Sequence, residues 1–351
     1  MSDSVVKKLS TLDRYLPLWI LASMIGGVLL SYAVPNLDKA LDAVRLDTVS
    51  LPIAIGLLVM MYPPLAKVRY GKLSEFFVNW RLFQVSLFLN WIVGPLLMTA
   101  LAWLFLPNEH EFRNGLILVG LARCIAMVLI WNTLACGSAE VAAILVALNS
   151  LFQIFMYSIY GWFFITLMPT WFGLESAIVN ITIWAIAKSV LIFLGIPFAL
   201  GFLSRFVLAQ HFGDEWYEQK FLPAISPLAL LGLLYTIVLI FSMQGEKLLN
   251  QPLNVLKIAL PLSLYFVLMF SLALWMAYKT DHSYEESAAI AFTASGNNFE
   301  LAIAVAIGTF GITSGEALAA TVGPLIEVPA LVSLVYLSLW VKKKFFEPQP
   351  I

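Results

Sequence analysis

Ten apolar stretches, each near the length that crosses a bilayer, follow one another along the chain. They fall at about 16–34, 49–66, 82–106, 114–135, 141–168, 177–203, 222–243, 255–278, 286–311 and 316–341. About 20 apolar residues in a helix span the hydrocarbon layer. Ten such runs leave little chain for a water-facing surface. Only 12% of the residues are charged and 61% are hydrophobic, against roughly a quarter charged in soluble domains. Lipid removes the demand for a polar exterior, provided the backbone bonds to itself within helices. The expected fold class is an all-α integral membrane protein with ten transmembrane helices. Residues 1–15 are polar and basic and precede an apolar run. They read as the flank of a first anchor rather than a signal peptide, since nine spans follow and no small-residue cleavage site is evident.

The basic residues orient the bundle. With ten spans and the N-terminus inside, thirteen Lys and Arg fall on inner segments, five fall on outer ones, and Arg123 and Lys188 lie within the membrane. That bias puts both ends in the cytoplasm, at the cell membrane. Ten spans divide into residues 1–170 and 171–351, five and five. An odd count per half forces opposite orientations, the layout of an inverted repeat. The longest stretch expected outside the membrane is 204–221. The net charge of −1 offers nucleic acid no attraction.

Ionisable and amide groups at bilayer depth are costly and mark solute pathways. Glu300 follows Ser295-Gly296-Asn297-Asn298-Phe299 in the ninth span. Gly and Asn disfavour a continuous helix there, and an unwound stretch frees backbone groups for a ligand. Asn297 and Glu300 are three apart, which puts them on one helix face. Arg123 and Cys124 hold the corresponding place in the fourth span. Arg123 either favours a thiolate at Cys124 or neutralises Glu300, and Cys124 alone reads as a small buried hydrophobe. Glu327 lies between Pro324 and Pro329, which suggests a distorted helix with freed carbonyls. Asn149 and Gln153, four apart in the fifth span, occupy the matching place in the other half. Both sets read as solute-facing, with helix–helix hydrogen bonds as the alternative. Lys188 either pairs with a carboxylate or snorkels, and Asn90 and Asn132 are ambiguous. Pro63-Pro64 is expected to end or kink the second span. Cys124 and Cys136, twelve apart on one expected helix, would be roughly 18 Å apart, too far for a disulfide. No nucleophile–base pair, metal cluster or phosphate loop is visible, so neither an enzyme nor a cofactor is expected. A flux-free sensor is disfavoured, because no sizeable soluble domain is present.

Long strings of the chain resemble one family. They include GLLVMMYPPLAKVRY at 56–70, RCIAMVLIWNTLACG at 123–137, FTASGNNFELAIAVAIGTFG at 292–311 and GPLIEVPALVSLVYL at 323–337. The likeness runs nearly end to end, to the arsenite-efflux permeases of the arsenical-resistance-three type, within the bile-acid/sodium symporter-like superfamily. The resemblance implies a panel of helices 1, 2, 6 and 7, and a core of helices 3–5 and 8–10 in which broken helices 4 and 9 cross. It implies secondary export of trivalent arsenic oxyacid (arsenite, with antimonite as a second substrate) in exchange for protons. The family's helix-four cysteine falls on Cys124 and its helix-nine glutamate on Glu300. In two places the chain departs from the family, which often has an acidic residue where Thr133 stands and commonly reads Ser-Asn-Asn around Gly296.

Arsenous acid is neutral near pH 7 and thiophilic. A carrier must also release what it binds, and one thiol completed by Asn, Glu or water oxygens suits passage better than a trap of three. The alternative within the same fold is a sodium-coupled organic-anion symporter. It would use Glu300, Asn298 and Glu327 as hard oxygen ligands.

Overall fold

A computed structural model describes residues 15–34, 37–46, 49–68, 80–125, 127–173, 182–250, 252–311 and 314–346. Among these the chain forms twelve principal helices. They are α1 (Leu16–Ala33), α2 (Leu51–Ala66), α3 (Trp80–Phe105), α4 (His110–Leu121), α5 (Met127–Leu134) and α6 (Ala139–Trp171). The second half holds α7 (Ile183–Phe212), α8 (Asp214–Met243), α9 (Leu253–Lys279), α10 (Tyr284–Ser295), α11 (Phe299–Phe310) and α12 (Gly315–Phe346). A short helix, Leu37–Asp42, and a two-residue antiparallel pair, Arg45–Leu46 with Val49–Ser50, join α1 to α2. Six helices (α3, α6, α7, α8, α9 and α12) are long and apolar enough to cross a membrane. This is an all-helical, multi-pass membrane architecture.

The expected fourth and ninth spans are each two helices. α4 and α5 have residues 122–125 described between them, and α10 and α11 are separated by residues 296–298. Polar side chains cap the helix starts and satisfy N–H groups that lipid cannot. Ser138 accepts from the Val141 N–H, and Ser314 from that of Ala317. Ser283 and Glu286 cap each other's end of α10 reciprocally.

The helices sort into two groups by packing. α8 lies on α1 and α2, and α7 on α2. In the other group α9 packs on α10 and α12, α12 on α4 and α11, and α3 on α4. The groups meet where α7 contacts α6 and α11.

Several expectations are corrected. Residues 204–221 are helical except for a turn at Gly213, so α7 and α8 run on past the expected spans. α12 stays helical through both Pro324 and Pro329. The helix is therefore not interrupted around Glu327. α2 also carries Pro63 and Pro64 inside its last turn and ends two residues later. Arg113, expected in an outer loop, is buried in α4. Its guanidinium lies 3.5 Å from the Trp103 ring centroid and bonds the carbonyls of Leu106 and Pro107. The basic residues Lys7, Lys8, Arg14, Arg69 and Lys72, and the start of the expected 177–203 span, lie outside the described residues.

Candidate functional site

The two helix breaks touch. The Cys124 N–H donates to the Gly296 carbonyl at 3.3 Å, and the Asn298 N–H to the Ala122 carbonyl at 3.0 Å. Arg123 and Asn297 therefore face each other as one antiparallel bridge. The pairing answers the question each break poses. A helix interrupted inside lipid leaves backbone groups unsatisfied at several kcal/mol each, and here each break supplies the other's partners. The Asn297 side chain adds two bonds, donating from Nδ2 to the carbonyls of Val119 (2.8 Å) and Ala122 (3.2 Å). Gly296 lets the segments approach, since a Cβ there would sit 3.1 Å from the Cys124 Cβ.

Cys124 is buried at this crossing, and its Sγ accepts from the Val128 N–H at 3.3 Å. The sulfur thus faces the first turn of α5, whose N–H groups favour electron-rich partners. Glu300 and Glu327 both lie close enough to the thiol to act on it electrostatically, and on each other. Glu327 reaches over from α12 to accept the Asn297 N–H at 3.4 Å. Asn298 ends the break by capping α11, its Oδ1 accepting from the Leu301 N–H at 3.0 Å. Glu300 therefore stands in the first turn of α11, while Asn297 is in the extended segment. The shared helix face expected for these two is not formed, because the helix begins at Phe299.

Arg123 is fully buried. Its Nη1 donates to the Tyr265 hydroxyl (3.0 Å) and the Ala294 carbonyl (3.1 Å), and its N–H donates to Gln153 Oε1 at 2.8 Å. Among the described residues it makes no ion pair with Glu300, contrary to one of the two sequence readings. Tyr265 of α9 and Ala294 of α10 hold the guanidinium instead. Gly94 makes room for it, as a Cβ there would fall 2.8 Å from Nη1. Neither Gly94 nor Tyr265 was singled out in the sequence. Tyr265 carried a signal, a hydroxyl at mid-span that needs a partner. Gly94 carried none beyond its place before Pro95.

The other expected residues divide. Gln153 reaches the crossing. Asn149 is taken up between helices: it accepts from Trp91 Nε1 at 3.0 Å and donates to Asn90 Oδ1 at 3.3 Å. A π-helical turn at Leu89–Val93 presents both of those neighbours. Asn132 is buried near the end of α5 and donates to the Ser138 carbonyl. Lys188 is exposed on α7. Cys136 lies beyond α5 with φ of 57°, so the two cysteines do not share one helix.

Two interrupted helices cross with the Cys124 thiol buried at their contact, Glu300 part-buried in α11 and Glu327 buried on α12, and this arrangement belongs to a multi-pass membrane transporter. The sodium bile acid symporter family profile matches residues 54–251. The arsenical-resistance protein Acr3 of Corynebacterium glutamicum is 54% identical over 98% of this chain and 93% of its own length. The Acr3 of Alkaliphilus metalliredigens is 33% identical over 95% of this chain and 93% of its own. An uncharacterised transporter of Synechocystis is 35% identical over 93% of this chain and 88% of its own. The chain belongs to the sodium bile acid symporter family and, within it, to the Acr3 arsenical-resistance proteins.

Proposed function

We propose that the protein exports arsenite, and antimonite by the same thiol chemistry, from the cytoplasm in exchange for protons. The observation that carries the reading is the backbone pairing of the two breaks, which buries the Cys124 thiol at the crossing, where Glu327 reaches the Asn297 N–H from α12. The names of the Acr3 relatives supply the substrate class, and the thiophilicity of trivalent arsenic supplies the role of the sulfur.

In this reading α1, α2, α7 and α8 form a panel and the remaining helices a core. The halves, residues 1–170 and 171–351, are inverted five-helix repeats. Each break belongs to one half, and α6 and α12 follow the breaks in matching positions. Both ends are cytoplasmic in the cell membrane, in keeping with the thirteen-to-five bias of basic residues.

Arsenous acid meets Cys124 from the inner side, exchanging one hydroxyl for the sulfur and losing it as water. Oxygens of Asn297, Asn298, Glu300 and Glu327 complete the shell. With one sulfur at the site, hydrolysis of the arsenic–sulfur bond releases the cargo. Proton uptake by Glu300 from outside and its release inside couple the cycle. Arg123, Asn132, Asn149, Gln153 and Lys188 have supporting parts: Arg123 and Gln153 hold the crossing, Asn132 and Asn149 tie helices, and Lys188 anchors α7.

Arsenite accumulation in everted vesicles, with proton and sodium gradients imposed separately, tests this. Accumulation should follow the proton gradient and ignore sodium. Dependence on sodium alone would favour the organic-anion symporter reading of the fold.

A further inference from the structure

One surface feature takes no part in the crossing. A groove of about 340 Å³ opens between α9 and the end of α12, lined chiefly by Phe270, Leu274, Trp275, Tyr278, Val341 and Phe345. Its volume lies in the range of small-molecule sites, and its wall is almost wholly apolar. At one end Lys279 lines it, and Lys344 stands at the rim, its Nζ 5.4 Å from the Phe345 ring centroid. Among the described residues neither lysine pairs with a carboxylate. Lys342, by contrast, is taken by Glu285 at 3.2 Å. Trp275, Tyr278, Trp340 and Phe345 are all exposed around the groove, and such residues settle at the depth of lipid headgroups.

We propose that this groove binds an anionic phospholipid of the surrounding bilayer. An acyl chain lies along the α9–α12 seam, and the phosphate is held by Lys279 and Lys344. Charge selects the occupant. Basic pockets at the ends of membrane helices favour acidic headgroups. A second copy of this chain, related by a two-fold axis, would bring a like basic end to the same interface and supply no anion for these lysines. The seam joins α12, which carries Glu327, to α9, whose Tyr265 accepts from Arg123 at the crossing, so an occupying lipid would brace both helices behind the crossing.

The test is thermal unfolding of the purified full chain in a neutral detergent. Phosphatidylglycerol, phosphatidylcholine with the same acyl chains, or glycerol phosphate alone is titrated in. The expected result is a rise in Tm with phosphatidylglycerol only. Its apparent affinity should fall about fivefold for each of Lys279→Gln and Lys344→Gln. Ser271→Trp, at an exposed position on the groove wall, should abolish the rise by filling the space. The two lysine variants change exposed side chains and keep the proposal testable should the tryptophan variant fail to fold. Equal protection by phosphatidylcholine, undiminished protection of the double lysine variant, or protection by glycerol phosphate alone would overturn it. So would a dimer that Ser271→Trp converts to monomer.

Discussion

The carbonyl of Gly296 accepts the backbone N–H of Cys124 at 3.3 Å, so the cysteine's position is set by a residue more than 170 positions along the chain. Each break supplies backbone partners for the other, since the Asn298 N–H donates in turn to the Ala122 carbonyl at 3.0 Å. Gly296 itself adopts φ −71° and ψ 143°, open to any residue. What requires glycine is space. Gly296→Ala should place its methyl against the Cys124 Cβ and lower arsenite export about tenfold. Gly296→Val should abolish it, since overpacking of a tight contact costs about 1–3 kcal/mol. Export from resistant cells, with Tm read in parallel, checks both.

Arg123 rests on Tyr265. Tyr265→Phe removes the acceptor at 3.0 Å from Nη1 and should cost about 2 kcal/mol, the scale of a hydrogen bond to a charged group. A Cβ at Gly94 would lie 2.8 Å from Nη1 and 3.2 Å from the Tyr265 hydroxyl, so Gly94→Ala crowds the same pair. Because the three groups meet, the double variant should be less destabilised than the sum of the single ones. Additive losses of Tm would place the two residues in separate roles.

Asn298 caps α11, and its replacement separates capping from ligation. Asn298→Ser keeps a capping oxygen and should hold Tm close to that of the native protein. Asn298→Ala should lose about 1 kcal/mol. If Asn298 also contributes an oxygen to the substrate, both variants should raise the KM for arsenite, and the serine variant should do so without the fall in Tm.

At the turn between α9 and α10, burial pushes the His282 pKa down from its ordinary value, outweighing the carboxylate of Glu286 3.7 Å away. The folded state therefore holds fewer protons on this ring than the unfolded chain. Stability is full above the ordinary histidine value of about 6.5 and declines as pH falls below it toward the depressed one. Tm measured from pH 8 to 5 should show this loss, and His282→Gln should flatten it.

The bundle was legible because apolar length is a local property. The Gly296-Asn297-Asn298 break was legible for the same reason: its residues disfavour a helix by themselves. Arg123-Cys124 carries no such signal, and that break exists because the other one pairs with it. Tertiary context also decided Arg113, which looked like loop charge until Trp103 and the carbonyls of Leu106 and Pro107 buried it. The tie from Arg123 to Tyr265 joins residues 142 apart, beyond the reach of periodicity or spacing.

X-ray absorption at the arsenic edge, on purified protein loaded with arsenite, bears most directly on the role of the sulfur. One arsenic–sulfur bond per bound arsenic, with oxygens completing the shell and the sulfur contribution gone in Cys124→Ser, is the expected result. An all-oxygen shell in the native protein, or a sulfur contribution that survives in Cys124→Ser, would contradict the account.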